Sequence, residues 1–222
     1  MTKKKVFIIG AAGHAKVIID IFEKDHTYEI IGLIDVKSKV GQSLVGYPIL
    51  GTEEDLPKFI EQNPDSKIFI AIGDGWVRHL VVERIKKIIP DVSFANAIHP
   101  SAIIAKGVKI GVGIAIMAGS IINTDSVIGD FVILNTNSSL DHDGVMDDFS
   151  TLSPNAVAGG GVSIGAFSVV SIGAVILHGK SIGTNSIIGA GAVLTKNCES
   201  NVTMYGIPAR KIRSRIKGEK YL

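Results

Sequence analysis

Asp141-His142-Asp143 sets an imidazole between two carboxylates in the second half of a 222-residue chain. A carboxylate beside an imidazole selects its tautomer and raises its basicity, which is what proton abstraction near neutral pH requires. The triplet also suits a plain solvent-facing turn, since short polar residues favour turns. Further on, Gly159-Gly160-Gly161 presents three consecutive backbone N–H groups with no side chains around them. Such donors can stabilise the oxyanion of an acyl transfer, and a tight corner calls for the same residues. His178 is the rival base, without a flanking acid, and His99 before Pro100 reads as a turn residue. Neither the histidines nor the single cysteine, Cys198, has zinc-ligand spacing, so no metal is expected.

A second chemical signal lies near the start. Gly10-Ala11-Ala12-Gly13-His14 follows an apolar run and precedes a helical one, the setting in which a loop cradles phosphate at a helix N-terminus. Asp35 follows a second apolar run, where a ribose-binding acid would stand. A dinucleotide oxidoreductase is a legitimate rival on these residues. The missing middle glycine of GxGxxG and the lack of room for a substrate domain count against it.

The elements that must position these residues change character at about residue 95. Residues 6–9, 30–34 and 67–72 read as strands. Residues 15–22, with Ala15, Ile18, Ile19 and Phe22, read as a helix, as do 53–62 and the stripe Val77, Leu80, Val81, Ile85 and Ile88. Alternation of strand and helix predicts a small Rossmann-like domain over residues 1–95. From Ile98 to Leu194 every sixth residue is apolar, without an insertion. Small side chains such as Ser120, Ser138, Ser150, Ser168 and Ser186 stand two positions before, and glycines such as Gly111, Gly129 and Gly165 one position after. This is the hexapeptide repeat of a parallel β-helix, over residues 96–222 with a short tail. Three hexads make a coil, so residues 18 apart stack with a rise of ~4.8 Å. Lys106, Thr124, His142, Gly160, His178 and Lys196 then share one edge. Two adjacent outer faces, one with Ile103, Ile121, Val157, Val175 and Val193 and one with Ala115, Ile133, Thr151, Val169 and Ile187, are largely apolar. Their burial against other copies predicts a closed ring, most simply a homotrimer.

Composition narrows the class. A net charge of +2 gives no basis for a nucleic-acid or membrane-surface partner. Lys3-Lys4-Lys5 before an apolar run imitates a signal peptide, but the run breaks at Gly10 and soon meets His14, Lys16 and Asp20. No window is long enough for a transmembrane helix. One cysteine suits a reducing cytoplasm.

Taken together, Gly10 to His14, Ala71-Ile72-Gly73-Asp74, Ile98-His99-Pro100-Ser101-Ala102, Asn135-Thr136, Asp141-His142-Asp143, Gly159-Gly160 and Gly206-Ile207-Pro208-Ala209-Arg210 resemble bacterial sugar O-/N-acetyltransferases of the NeuD/PglD type. The resemblance covers essentially the whole chain. It implies a left-handed β-helix, whereas the general rule for parallel crossovers predicts the other hand. It implies acetyl-CoA as co-substrate and N-acetylation of a nucleotide-linked 4-amino-4,6-dideoxy sugar, with His142 as base and Asp143 as its support. O-acetylation of a sialic-acid-type sugar is the alternative, and a non-catalytic nucleotide-binding scaffold the alternative of another class. Positions matching Ala12, Gly13, His14, Asp35 and Gly73 hold the nucleotide sugar. Those matching Thr151, Gly160, Ile172 and Ala190 contact acetyl-CoA between neighbouring β-helices, although relatives commonly carry histidine where this chain has Thr151. Lys196 and Arg210 suit the phosphates of acetyl-CoA by charge and position.

Overall fold

The computed structural model describes residues 3–220. The chain divides into two compact units, Met1–Gly73 with Val77–Pro100, and Asp74–Trp76 with Ser101–Leu222. The first unit extends past residue 95 for a local reason. Ile68 exchanges hydrogen bonds with this segment, donating to Ser93 O and accepting from Ala95 N–H, both at 2.9 Å.

The elements of the first half are β1 (Lys4–Ile9), α1 (Gly13–Asp25), β2 (Tyr28–Ile34), β3 (Ser43–Leu44), β4 (Tyr47–Gly51), α2 (Leu56–Gln62), β5 (Lys67–Ile70) and α3 (Gly75–Ile88). They form a sheet of order β3-β4-β2-β1-β5. β4, β2, β1 and β5 run parallel, and β3 is antiparallel to β4. β1 lies between β2 and β5, and Val6, Phe7, Ile8 and Ile9 are at most 2% exposed, as expected for a strand covered on both faces. α1 buries Ala15, Ile18, Ile19 and Phe22, the stripe its spacing predicts, and Ile21 as well.

Three details differ from the periodicity. Residues 53–55 form a 3-10 turn rather than the start of the helix, because Thr52 and Asp55 close a capping box around them. β5 ends at Ile70, and Ala71 N–H still bonds Ile9 O at 2.7 Å while the chain turns away. In α3, Leu80 and Ile88 face outward at 41% and 38% exposure, whereas Arg78 is 1% exposed. The hairpin of β3 and β4 lacks any strong alternation and has no counterpart in the sequence reading.

The second unit is a left-handed parallel β-helix of two-residue strands. Backbone N–H groups donate to carbonyls one coil on, as from Ile121 to Ser138 O and from Val157 to Ala174 O, both at 2.9 Å. Strand register is i to i+18 from Ile103 to Leu194, for example Ser139 to Val157 and Leu140 to Ala158, and shortens to i+16 where Ile187 meets Thr203. The second residue of each strand points inward. From Ile116 to Leu194 these side chains are buried, and the serines two positions earlier, Ser120, Ser126, Ser138, Ser150, Ser168 and Ser186, are fully so. Corners turn through left-handed residues, among them Asp125, Asn137, Asp143, Asn155 and Asn185. Phe131, Phe149 and Phe167 occupy the same corner position in successive coils, and their rings stack at 5.1 and 5.3 Å.

The outer faces correct the expectation of two open apolar surfaces. Ala115, Ile133, Thr151, Val169 and Ile187 are all at most 5% exposed in the single chain. Around Val169 and Ile187 the neighbours include Trp76, Arg215 and Glu219 of the same unit. The other face remains open, with Ile103 at 59%, Ile121 at 36% and Val157 at 41%. The tail is more than an appendage: Val202–Tyr205 adds parallel to Ile187–Ile188, and Arg210–Ser214 returns antiparallel to it.

The coil interior carries the stability of this unit. Ile164 is fully buried, so Ile164→Ala removes a packed side chain and leaves a cavity between coils. The expected cost is about 2–5 kcal/mol in chemical denaturation of the whole chain, with the trace of the Tyr and Trp fluorescence shifted to lower denaturant.

Candidate functional site

The edge predicted to hold His142 is assembled by the coil register. Asp143 N–H donates to Thr124 O one coil before (3.1 Å), and Gly161 N–H donates to His142 O one coil after (2.9 Å). Gly179 N–H in turn donates to Gly160 O (2.9 Å), which carries the same edge on to His178. His142 Nδ1 lies 2.8 Å from Asp143 Oδ2. With Nδ1–H donating to the carboxylate, Nε2 is left with its lone pair free to accept a proton. The imidazole is 58% exposed, so a substrate can reach it. Asp143, in a left-handed conformation at φ 55°, is what brings its carboxylate back to the ring.

Charge reinforces this geometry. The hydrogen bond that His142 donates to Asp143, and then the charge of Asp141, raise the His142 pKa above the ordinary 6.5. The Asp141 carboxyl is held below its usual value by Asn123 and by the His142 N–H.

Gly160 has a steric role on this edge. A Cβ on Gly160 would lie 2.5 Å from His142 Nε2 and 2.7 Å from Cε1, so the imidazole rests across the bare Cα. Of the three glycine N–H groups, that of Gly159 donates to Ile176 O (3.0 Å) and that of Gly161 to His142 O. Among the described residues the Gly160 N–H has no partner, which leaves it as the donor beside Nε2.

The remaining predicted residues fall elsewhere in the β-helix. Lys196 is exposed farther along the His142 edge. Ile172, at 59% exposure, and exposed Ala190 stack on the other edge of the open apolar face, joined through Gly191 N–H to Ile172 O (2.9 Å). Arg210 is exposed in the last strand, opposite Tyr205. Thr151 is not brought near His142. It sits on the covered face at 2% exposure, its hydroxyl buried without a partner. Cys198 is buried, and that burial pushes its thiol up to about 11, so no thiolate is available for attack.

In the first unit a cleft of about 680 Å³ opens beyond the carboxyl ends of β1, β2 and β5, lined by Gly10, Asp35, Lys37, Thr52, Ile72, Val77 and Arg84 among others. This is the switch point where β1 has a neighbour on each side, the usual place for a ligand in such sheets. Gly10 adopts φ 101° with Ala71 O only 3.1 Å from where a Cβ would be, so glycine is required there. Asp35 Oδ2 accepts from Ala11 N–H (2.6 Å) and Lys39 Nζ (2.9 Å), and Oδ1 from Val36 N–H (2.6 Å). Burial pulls the Asp35 carboxyl up, but these bonds outweigh it and hold it below the usual range. Asp35 thus pins the glycine loop as well as lining the cleft. Ala12 caps α1 and Gly13 opens it, both exposed. His14 in the first turn is kept neutral to about pH 4 by burial and by Arg78, and its Nε2 is buried without a partner. Gly73 accepts from Arg78 Nη1 at 2.8 Å, as does Ile72 O at 2.7 Å. Arg78 escaped the sequence reading because its neighbours Val77 and Val81 drew attention to an apolar stripe. Its charge flanking a glycine-ended strand is the signal that could have found it.

Among the described residues no group of three or more His, Cys, Asp or Glu is placed to hold a metal ion, and no helix is long and apolar enough to cross a membrane.

Comparison with known proteins adds the following. The PglD N-terminal domain model matches residues 5–85. UDP-N-acetylbacillosamine N-acetyltransferase of Bacillus subtilis (strain 168) is 37% identical over 119 residues, 52% of this chain and 52% of that protein. The chain spans about half the length, or less, of the curated relatives it matches. Among solved structures, a variant of perosamine N-acetyltransferase from Caulobacter crescentus, with one histidine replaced by asparagine and in complex with CoA and GDP-perosamine, is 33% identical. Its TM-score is 0.88, over 96% of this chain and 99% of that one. The acetyltransferase domain of PglB from Neisseria gonorrhoeae FA1090, in complex with acetyl coenzyme A, is 28% identical with a TM-score of 0.84, over 95% and 100% of the two chains.

Because Gly160 has no left-handed backbone requirement, the ring of His142 is the nearest obstacle to a side chain there. Gly160→Ala is expected to fold normally and to push the imidazole off Asp143. An NMR titration should then show the His142 pKa falling towards the ordinary imidazole value.

Proposed function

Because the chain belongs to the hexapeptide-repeat sugar acetyltransferases of the NeuD/PglD type, we propose that it N-acetylates a nucleotide-linked 4-amino-4,6-dideoxy sugar, with acetyl-CoA as donor. The observation that carries this reading is the Asp143–His142 pair. Its Nε2 is free and exposed, and it lies against the one glycine of the triplet whose N–H is unengaged. The two solved relatives described above, one bound to CoA with an amino-sugar nucleotide and one bound to acetyl coenzyme A, support it.

Acetyl-CoA supplies the activated acetyl group as the second substrate. The sugar's amine attacks the thioester carbonyl, and His142 Nε2 takes the proton that the amine loses as the C–N bond forms. Asp143 holds the ring in the accepting tautomer and stabilises the imidazolium. The Gly160 N–H donates to the carbonyl oxygen as it becomes an oxyanion. The C–S bond then breaks, the sulfur leaves as thiolate and takes the proton held by His142 Nε2, and no covalent enzyme intermediate is required. Cys198, buried and protonated, takes no part.

The cleft at the switch point takes the nucleotide, with Asp35 facing it and Ala12, Gly13, His14 and Gly73 around its loop. Lys196 and Arg210 offer cations for the phosphates of acetyl-CoA. The open face of Ile103, Ile121 and Val157 supports a homotrimer in which a neighbouring copy covers it and brings its Ile172 and Ala190 edge to His142. Dependence on acetyl-CoA and a single free cysteine support a cytoplasmic location.

A thiol-release assay with acetyl-CoA against UDP-, GDP- and dTDP-linked 4-amino sugars, with sialic acid alongside, tests the reading. Turnover is expected on one amino-sugar nucleotide, and His142→Ala should lower it by roughly 10²–10⁴. Turnover only on sialic acid, or an undiminished rate in His142→Ala, would sink it. The pH profile has a definite sign. The base form of His142 is lost as pH falls through its raised pKa, so the acid limb of kcat/KM lies above 6.5. Asp143→Asn removes the largest cause of that shift, and the limb should move to lower pH.

A further inference from the structure

Two hydrogen bonds place Asp141, and they join His142 to the coil before it. Asn123 Nδ2 donates to Asp141 Oδ1 at 2.7 Å, and the same oxygen accepts the backbone N–H of His142 at 2.8 Å. Asn123 is 18 residues before Asp141, one step along the stack. Its amide therefore reaches the carboxylate along the coil axis, and the carboxylate reaches the peptide that carries the imidazole. Both donors converge on one oxygen, which fixes the carboxylate against rotation and favours its charged form.

We propose that Asn123 is a positioning residue for the acetyl transfer, acting through Asp141 to hold His142 over Gly160. This rests on the reading of His142 as the base. The corner has little else to hold it. Asp143 and His142 are both exposed, Asp143 sits in the left-handed region, and Gly159 to Gly161 offer no side chain to brace the ring. Besides the Nδ1 contact to Asp143, the corner keeps backbone bonds, Asp141 N–H to Ala158 O, Asp143 N–H to Thr124 O and Gly161 N–H to His142 O. None of these sets the direction of the Cα–Cβ bond of His142 as directly as a capped N–H at the same residue does.

Asn123 also acts on charge. A fixed Asp141 carboxylate stays near the imidazole and favours its protonated form, in addition to Asp143. The other charged or imidazole groups on this edge are Asp125 in the coil of Asn123, Lys106 one coil earlier, His178 and Lys180 two coils beyond His142, and Lys196 one coil beyond that. The next coil contributes only Gly159, Gly160 and Gly161, so no charged side chain faces the ring from that side. Asp125 is tied to its own corner, where Thr124 Oγ1 lies 3.4 Å from Oδ2.

The test uses the full chain with Asn123→Ala and Asn123→Gln, the latter keeping the amide donor. The His142 ring signals are titrated by NMR, assigned by their loss in His142→Ala, and steady-state kinetics follow on the amino-sugar nucleotide. In Asn123→Ala the His142 pKa should fall towards 6.5. On the high-pH plateau kcat should drop about tenfold, less than the roughly 10²–10⁴ lost with the base itself because the imidazole is displaced and not removed, with both KM values unchanged. Asn123→Gln should recover part of both effects. An Asn123→Ala enzyme with wild-type pKa and plateau kcat would overturn the proposal, as would a loss confined to KM. The titration reads His142 without turnover, so it stands apart from the question of whether His142 is the base, which His142→Ala answers by itself.

Discussion

The register of 18 residues between stacked strands is the constraint on which the β-helix depends. It is set by two things at once: an aliphatic side chain entering the core every sixth residue, and a backbone N–H reaching a carbonyl in the adjacent coil. A single inserted residue would break both, because the next inward side chain would face solvent and its N–H would miss its partner. The consequence for chemistry is that any corner residue has fixed neighbours one coil on either side. The corner that carries His142 therefore meets Asn123 and Thr124 on one side, through Asp141 and Asp143, and Gly160 and Gly161 on the other without any long-range loop to place them. Rigid elements hold a reacting group better than loops do, and here the loop is itself part of a ladder.

Three titratable groups in this chain show how environment decides protonation. His142 is open to solvent, yet its pKa rises, because a carboxylate bonds it directly and a second stands beside it. His14 goes the other way, since burial and the nearby Arg78 guanidinium both oppose its charge. Cys198 is driven towards the neutral thiol by burial alone in the main. A base that must accept and release a proton in every turnover gains from exposure with a bonded partner, while a buried neutral imidazole suits a lasting hydrogen-bonding role.

In the first unit the same economy of placement appears at the switch point. Asp35 accepts bonds from the loop that follows β1 and from Lys39, so one carboxylate both lines the cleft and fixes the backbone of Ala11. Arg78 does the equivalent for the end of β5, through the carbonyls of Ile72 and Gly73. The two strand ends that border the cleft are thus held by side chains rather than by the sheet, which is where a parallel sheet leaves carbonyls and N–H groups unpaired.

The sequence by itself determined the β-helix, because a strict six-residue period admits only one arrangement in which every aliphatic residue is buried. With the period came the edge: the alignment of Thr124, His142, Gly160 and His178 needs only arithmetic. The stripe of α1 and the glycine loop after β1 were legible for similar local reasons. Only the tertiary structure decided which outer face is open. Outward residues of both faces are apolar, and periodicity cannot tell a face covered by the chain itself, with Thr151, from one left exposed, with Ile103. It also decided which glycine N–H is unengaged, what Gly160 makes room for, and that Asn123 and Arg78 matter. These are properties of directions and distances between side chains, and a one-dimensional pattern fixes which residues are neighbours but not which of their atoms meet.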